Sequence, residues 1–102
     1  MAGVKWTDQA LDDLESVGEF IARDSPWHAK LFVQDIFESA QKLTQFPRSG
    51  REVPELGRND VREIILRNYR VMYAFDGKDV HILAVYHSAR LLPRDGIERR
   101  ME

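Results

Sequence analysis

The chain has no cysteine, so disulfide staples, thiolate metal sites and cysteine nucleophiles are excluded. No apolar stretch approaches the length of about 20 residues that a membrane helix needs, and no basic-then-apolar leader opens the chain. A cytoplasmic location without a membrane partner is therefore expected. No glycine-rich phosphate loop follows a predicted strand, which disfavours nucleotide hydrolysis. His28, His81 and His87 show no metal-ligand spacing, so neither a metal nor a cofactor is expected. Lysine is scarce in the second half, where Lys78 is the single exception among eleven cations that are otherwise arginine.

What is present is one domain's worth of core. The 102 residues are 43% hydrophobic and 31% charged, which suits a single layered unit spanning the whole chain and argues against disorder. The net charge of −2 conceals an asymmetry, because residues 1–45 carry four Lys and Arg against eight Asp and Glu, and residues 46–102 carry eleven against nine. A planar five-donor guanidinium suits phosphate or carboxylate recognition better than an ammonium does.

Val4-Lys5-Trp6 alternates as a short strand would, and Thr7 followed by Asp8 is a helix start. Leu11, Leu14, Val17 and Ile21 recur at helical spacing, and Ser25-Pro26 is a capping hydroxyl before a first-turn proline. A second apolar stripe through Ala29, Phe32, Val33, Ile36, Phe37, Ala40 and Leu43 runs to Phe46, where Pro47 stops it. Residues 47–60 hold two prolines, two glycines and three of the arginines, and read as a long loop. Val61 to Leu66, Tyr69 to Phe75 and Val80 to His87 read as strands, with turns at Arg67-Asn68 and Asp76-Gly77. The predicted fold class is α+β in the order β-α-α-β-β-β, a helical hairpin covering one face of a mainly antiparallel twisted sheet and leaving the other face open. Residues 88–102, polar beyond Leu91-Leu92-Pro93, read as a tail open to fraying, with Ile97-Glu98-Arg99-Arg100 as a candidate short helix.

The candidate chemistry sits at strand ends. Register arithmetic about the Asp76 turn sets Arg70 opposite Tyr86 or His87, so a guanidinium and an imidazole are expected side by side. Such a pair is what RNA cleavage needs, since a proton must move near neutral pH while a fixed cation stabilises the phosphorane. Arg62, Arg67, Arg90 and Arg51 could add phosphate contacts, and Glu63 or Glu52 could accept a proton. The structural alternative has His87 capping backbone groups and Arg70 pairing with Glu63 to pin the sheet. Trp6 and Trp27 read as core and rim rather than as base-stacking platforms.

Trp6-Thr7-Asp8-Gln9-Ala10, Asp13-Leu14, Ser25-Pro26, Phe46-Pro47-Arg48-Ser49-Gly50-Arg51, Arg62-Glu63-Ile64, Tyr69-Arg70-Val71-Met72-Tyr73 and His87-Ser88-Ala89-Arg90, in this order, resemble the toxins of the RelE/ParE superfamily from type II toxin–antitoxin (plasmid stabilisation) systems. The resemblance covers nearly the whole chain. It implies a growth-inhibiting toxin neutralised by a cognate antitoxin, which alone carries contact to operator DNA. It further implies, as first reading, a metal-independent, ribosome-dependent mRNA endonuclease, with His87 donating a proton, Arg70 and Arg62 stabilising the phosphate and Glu63 assisting. The ribosome and mRNA are then partners. The alternatives that it leaves are a ParE-like inhibitor of DNA gyrase without nuclease chemistry, and an inert antitoxin-binding module.

Overall fold

The computed structural model describes residues 1–90 and 94–101; the Leu91-Leu92-Pro93 stretch of the expected tail and Glu102 lie outside the described residues. The elements are β1 (Gly3–Trp6), α1 (Asp8–Ala22), α2 (Pro26–Gln41), a 3₁₀ turn (Lys42–Thr44), β2 (Arg51–Glu52), β3 (Val61–Leu66), β4 (Tyr69–Phe75), β5 (Asp79–His87) and α3 (Arg94–Arg99). Both helices begin where their caps dictate. The Thr7 hydroxyl accepts the Ala10 N–H at 3.2 Å and donates to the Ile82 carbonyl at 2.9 Å, so the first cap also ties α1 to the sheet. Ser25 accepts the His28 N–H at 3.2 Å, with Pro26 in the first turn of α2. The α-helical part of the second stripe ends at Gln41, and the tighter turn that follows buries Leu43 but leaves Phe46 on the surface.

The sheet has five strands in the order β1-β5-β4-β3-β2, with β1 parallel to β5 and the other neighbours antiparallel. This is the expected α+β plan, extended by the short β2, and the candidate short helix of the tail is present as α3, starting three residues earlier than Ile97. Ala10 and Leu14 of α1 and Phe32, Ile36 and Ala40 of α2 bury against Val71, Tyr73, Val80, Ile82 and Val85 on one sheet face. The opposite face is not open, contrary to expectation. Val53 and Leu56 from the long loop and Ile97 from α3 seal it against Val61, Met72, Leu83, Ala84 and Tyr86. A residue deep in the tail, Ile97, has no exposed surface, and Arg100 donates to Asp13 Oδ2 at 2.7 Å and to the Leu83 carbonyl at 2.9 Å. Trp6 packs on Phe37 at 4.8 Å between rings, while Trp27 is mostly exposed and belongs to neither core.

Two local features set the register. Arg67 closes the β3–β4 turn with φ of 56°, a left-handed conformation unusual for a non-glycine residue, and its guanidinium reaches Asp35 of α2 at 2.7 Å. In β5 the pairing shifts between Met72 and Tyr73, so that Met72 faces Ala84 and Tyr73 faces Ile82. Leu83 is the extra residue, a bulge that interrupts the alternation expected along the strand.

Gly50 enters β2 beneath Tyr73, donating its N–H to the phenolic oxygen at 3.0 Å. A Cβ at Gly50 would lie 2.6 Å from the Glu63 carbonyl oxygen and 2.7 Å from the Tyr73 hydroxyl. Gly50→Ala is expected to destabilise the fold by about 1–3 kcal/mol in urea unfolding, because backbone and a packed ring must both move. A loss under about 0.5 kcal/mol, the range of an ordinary surface change, would show that β2 contributes little.

Candidate functional site

Arg70 stands on β4 at the face sealed by the long loop, paired across the strands with Ile65 and Tyr86. Its side chain is 8% exposed, and all three guanidinium nitrogens are engaged. Nε donates to Glu63 Oε1 at 2.6 Å, while Nη1 and Nη2 form a fork on the Glu55 carboxylate at 2.6 and 2.8 Å. Glu63, a fully buried acid, also accepts from Arg51 Nε at 2.7 Å. Two arginines and two glutamates thus close a near-neutral network joining β2, β3, β4 and the loop. The bonds from Arg70, opposed by partial burial, pull the Glu55 carboxyl from its ordinary 4.5 down to about 2. Both carboxylates in turn raise the Arg70 pKa, so the guanidinium stays charged.

His87 lies on the other face. It pairs with Tyr69, whose ring meets the imidazole edge-on at 5.1 Å, and Tyr69 packs against Phe32 of α2. The side-by-side placement expected for Arg70 and His87 is therefore corrected: neighbouring positions on adjacent strands differ by one residue in register, and one residue reverses the face. His87 Nδ1 accepts the Ala89 N–H at 3.1 Å, capping the strand end, and Arg70 pins the sheet through Glu63. Both are the structural alternative weighed from the sequence.

The remaining candidates are dispersed. Arg62 faces the helices opposite Tyr73 and donates Nη1 to the Gly50 carbonyl at 3.0 Å, leaving its buried Nε without a protein partner. Arg67 is held by Asp35, Arg51 by Glu63, and Arg90 lies with its guanidinium 4.4 Å from the Tyr86 ring centroid. Glu52 is exposed on β2. No single surface gathers these side chains around one phosphate. Sequence reasoning missed Glu55, whose place on a loop escapes strand register, and it gave Asp13 and Arg100 no role. An acid within an arginine-rich loop was the available signal for Glu55.

Breaking the network by Glu63→Leu leaves two guanidinium groups without their shared acid and is expected to cost about 3–5 kcal/mol. Adding Arg70→Met should recover part of that loss in the double variant; no recovery would show that Arg70 and Glu63 do not couple. For Glu55 the folded-state pKa lies below the unfolded value. Its contribution is thus complete above about pH 4.5 and is lost as pH falls through about 2. The difference in unfolding free energy between the wild type and Glu55→Gln should shrink over that window, and a pH-independent difference would contradict the pairing.

Residues 4–92 match the family model described as ParE toxin of type II toxin-antitoxin system, parDE. Toxin RelE2 of Caulobacter vibrioides is 33% identical over 92 residues, covering 89% of this chain and 100% of that protein. Putative toxin Y4kP of Sinorhizobium fredii is 33% identical over 94 residues, covering 89% of this chain and 93% of its own. A solved structure described as the chromosomal ParDE TA system from P. aeruginosa superposes with a TM-score of 0.71 at 28% identity, over 85% of this chain and 96% of that one. With nearly all of its strands and both long helices under that family model, and curated toxins matched along their length, the chain belongs to the ParE toxin family of type II toxin–antitoxin systems, within the RelE/ParE superfamily.

Proposed function

We propose that this toxin arrests growth by binding DNA gyrase in the ParE manner, without cleaving a phosphodiester itself, and that a cognate antitoxin neutralises it. The observation that carries this reading is the state of Arg70: its guanidinium is buried and already saturated by Glu55 and Glu63. A cation that stabilises a phosphorane has to be free to meet charge as it develops. Arg70 would have to give up the Glu55 fork first, and the imidazole of His87 lies across the sheet from it. The ParE family model spanning residues 4–92 supports the same side, and the P. aeruginosa structure, described as a ParDE system, supports an antitoxin as partner.

The name RelE2 on the Caulobacter relative favours a second reading, ribosome-dependent mRNA cleavage. It requires the ribosome to draw Glu55 away from Arg70 and to bring RNA to two faces of the sheet, since His87 lies across it from Arg70 and Glu63.

Pulse labelling after induction in cells without antitoxin separates the two. DNA synthesis is expected to fall before protein synthesis, and the purified toxin to block gyrase supercoiling while leaving ribosome-bound mRNA intact. Protein synthesis collapsing first, with cut mRNA in the A site, would overturn the gyrase reading.

A further inference from the structure

Among the described residues, three metal-ligating side chains meet at the β4–β5 hairpin: an oxygen of Asp76, an oxygen of Asp79 and a ring nitrogen of His81 lie within 4.8 Å of one another. Strand geometry brings the last two together. Asp79 and His81 are two residues apart on β5 and share one face, and Asp76 reaches them from the turn. β1 runs alongside, with Gly3 opposite Asp79 and Lys5 opposite His81. A Cβ at Gly3 would lie 2.7 Å from Asp79 Oδ1, so the glycine leaves that carboxylate its room.

The turn holds Asp76 in a fixed orientation. Its Oδ1 accepts the Lys78 N–H at 2.8 Å and the Asp79 N–H at 2.7 Å, which leaves Oδ2 facing His81 Nε2 at 3.0 Å. Two donors about 2.1 Å from one ion stand about 3.0–3.4 Å apart, the edge of an octahedron or a tetrahedron. Asp76 and His81 already have that separation. The Asp79 oxygen needs a side-chain movement of only about 1–2 Å to complete the set. A cation already rests on this acid: Lys5 Nζ is 3.3 Å from Asp79 Oδ2, on a side chain that is 66% exposed. Exposed pairs of this kind contribute little, so the ammonium is readily displaced. Asp76 and His81 also line a cavity of about 360 Å³, which gives water room on an ion's remaining positions.

We propose that Asp76 Oδ2, the Asp79 carboxylate and His81 Nε2 bind one divalent transition-metal ion of the zinc class, which displaces Lys5 and keeps water on the side of the cavity. The imidazole sets the class, because nitrogen donors suit zinc and its neighbours whereas calcium and magnesium take oxygen ligands. The absence of a metal expected from histidine spacing is thereby revised: a site with a single imidazole, drawn from a turn and one strand, has no paired histidines to betray it. On binding, the ring passes from the Nε2–H form that donates to Asp76 to the Nδ1–H form, the proton moving through solvent, and Nε2 gives its lone pair to the ion. The site lies at the opposite end of β5 from His87 and is independent of the toxin's target.

The test takes the full chain, freed of metal by a chelator and labelled with ¹⁵N, and titrates it with Zn²⁺ and separately with excess Mg²⁺, read by calorimetry and by imidazole ¹⁵N shifts. One Zn²⁺ is expected to bind per chain and to move His81 to the Nδ1–H form. His81→Ala and Asp76→Asn should each weaken binding about tenfold or more, Lys5→Gln should tighten it severalfold, and His28→Ala, remote from the hairpin, should change it less than about twofold. Near-unchanged amide shifts away from the hairpin report that each variant folds. Zn²⁺ affinity that survives His81→Ala, Mg²⁺ acting on His81 as Zn²⁺ does, a His81 ring that stays in the Nε2–H form, or weaker binding by Lys5→Gln would each overturn the proposal.

Discussion

The sheet's second face depends on one guanidinium held between two acids. Glu63 is buried on β3, and a carboxylate without water is tolerated only where donors replace its hydration; Arg70 and Arg51 supply them. Arg70 then needs a second acid for its outer nitrogens, and Glu55 on the loop provides it. Because Glu55 lies between Val53 and Leu56, the ionic anchor and the apolar anchor of the loop are the same short segment. A network of this kind matters more through the cost of breaking it than through the gain of making it, since each lost partner strands a desolvated charge.

The loop in turn determines what the arginine-rich half of the chain can do. Ten arginines invite a nucleic-acid reading, yet the structure assigns several of them to carboxylates: Arg51 and Arg70 to Glu63, Arg58 to Asp60 and Arg67 to Asp35. The Arg58–Asp60 pair, Asp60's largest influence, holds that acid below its ordinary value on the same loop. Arginine serves here chiefly as a bidentate connector between elements, a use for which its fork is better shaped than lysine's point charge. The near absence of lysine beyond residue 45 fits that use.

Local rules made most of the fold legible. Thr7, Ser25 and Pro26 are capping residues whose chemistry acts over three positions, and the turn at Asp76-Gly77 follows from a short-range preference, with Gly77 at a φ of 93°. The errors came where one residue of register or distant chain segments decide. Hairpin arithmetic places Arg70 and His87 on neighbouring strand ends but does not decide their faces, because strand pairing fixes adjacency to within a residue while facing reverses with each residue. The Leu83 bulge breaks period-two reasoning inside β5 for the same cause. Coverage of the second face was invisible, since it comes from Val53, Leu56 and Ile97, none of which belongs to a periodic pattern. Glu55 is bound to Arg70 across 15 residues of chain through a loop that follows no repeat.

The parallel pairing of β1 with β5 has a consequence for how the chain acquires its shape during vectorial synthesis. Gly3–Trp6 emerge first, but the strand they pair with, starting at Asp79, is made some 75 residues later, and Thr7 awaits the Ile82 carbonyl across the same gap. Until then the two helices can pack only on the β3–β4 hairpin, with the part of their apolar face that meets Val80, Ile82 and Val85 uncovered. Closing so long a loop carries an entropy cost before any contact rewards it, so β1 is held in waiting while the ribosome delivers β5.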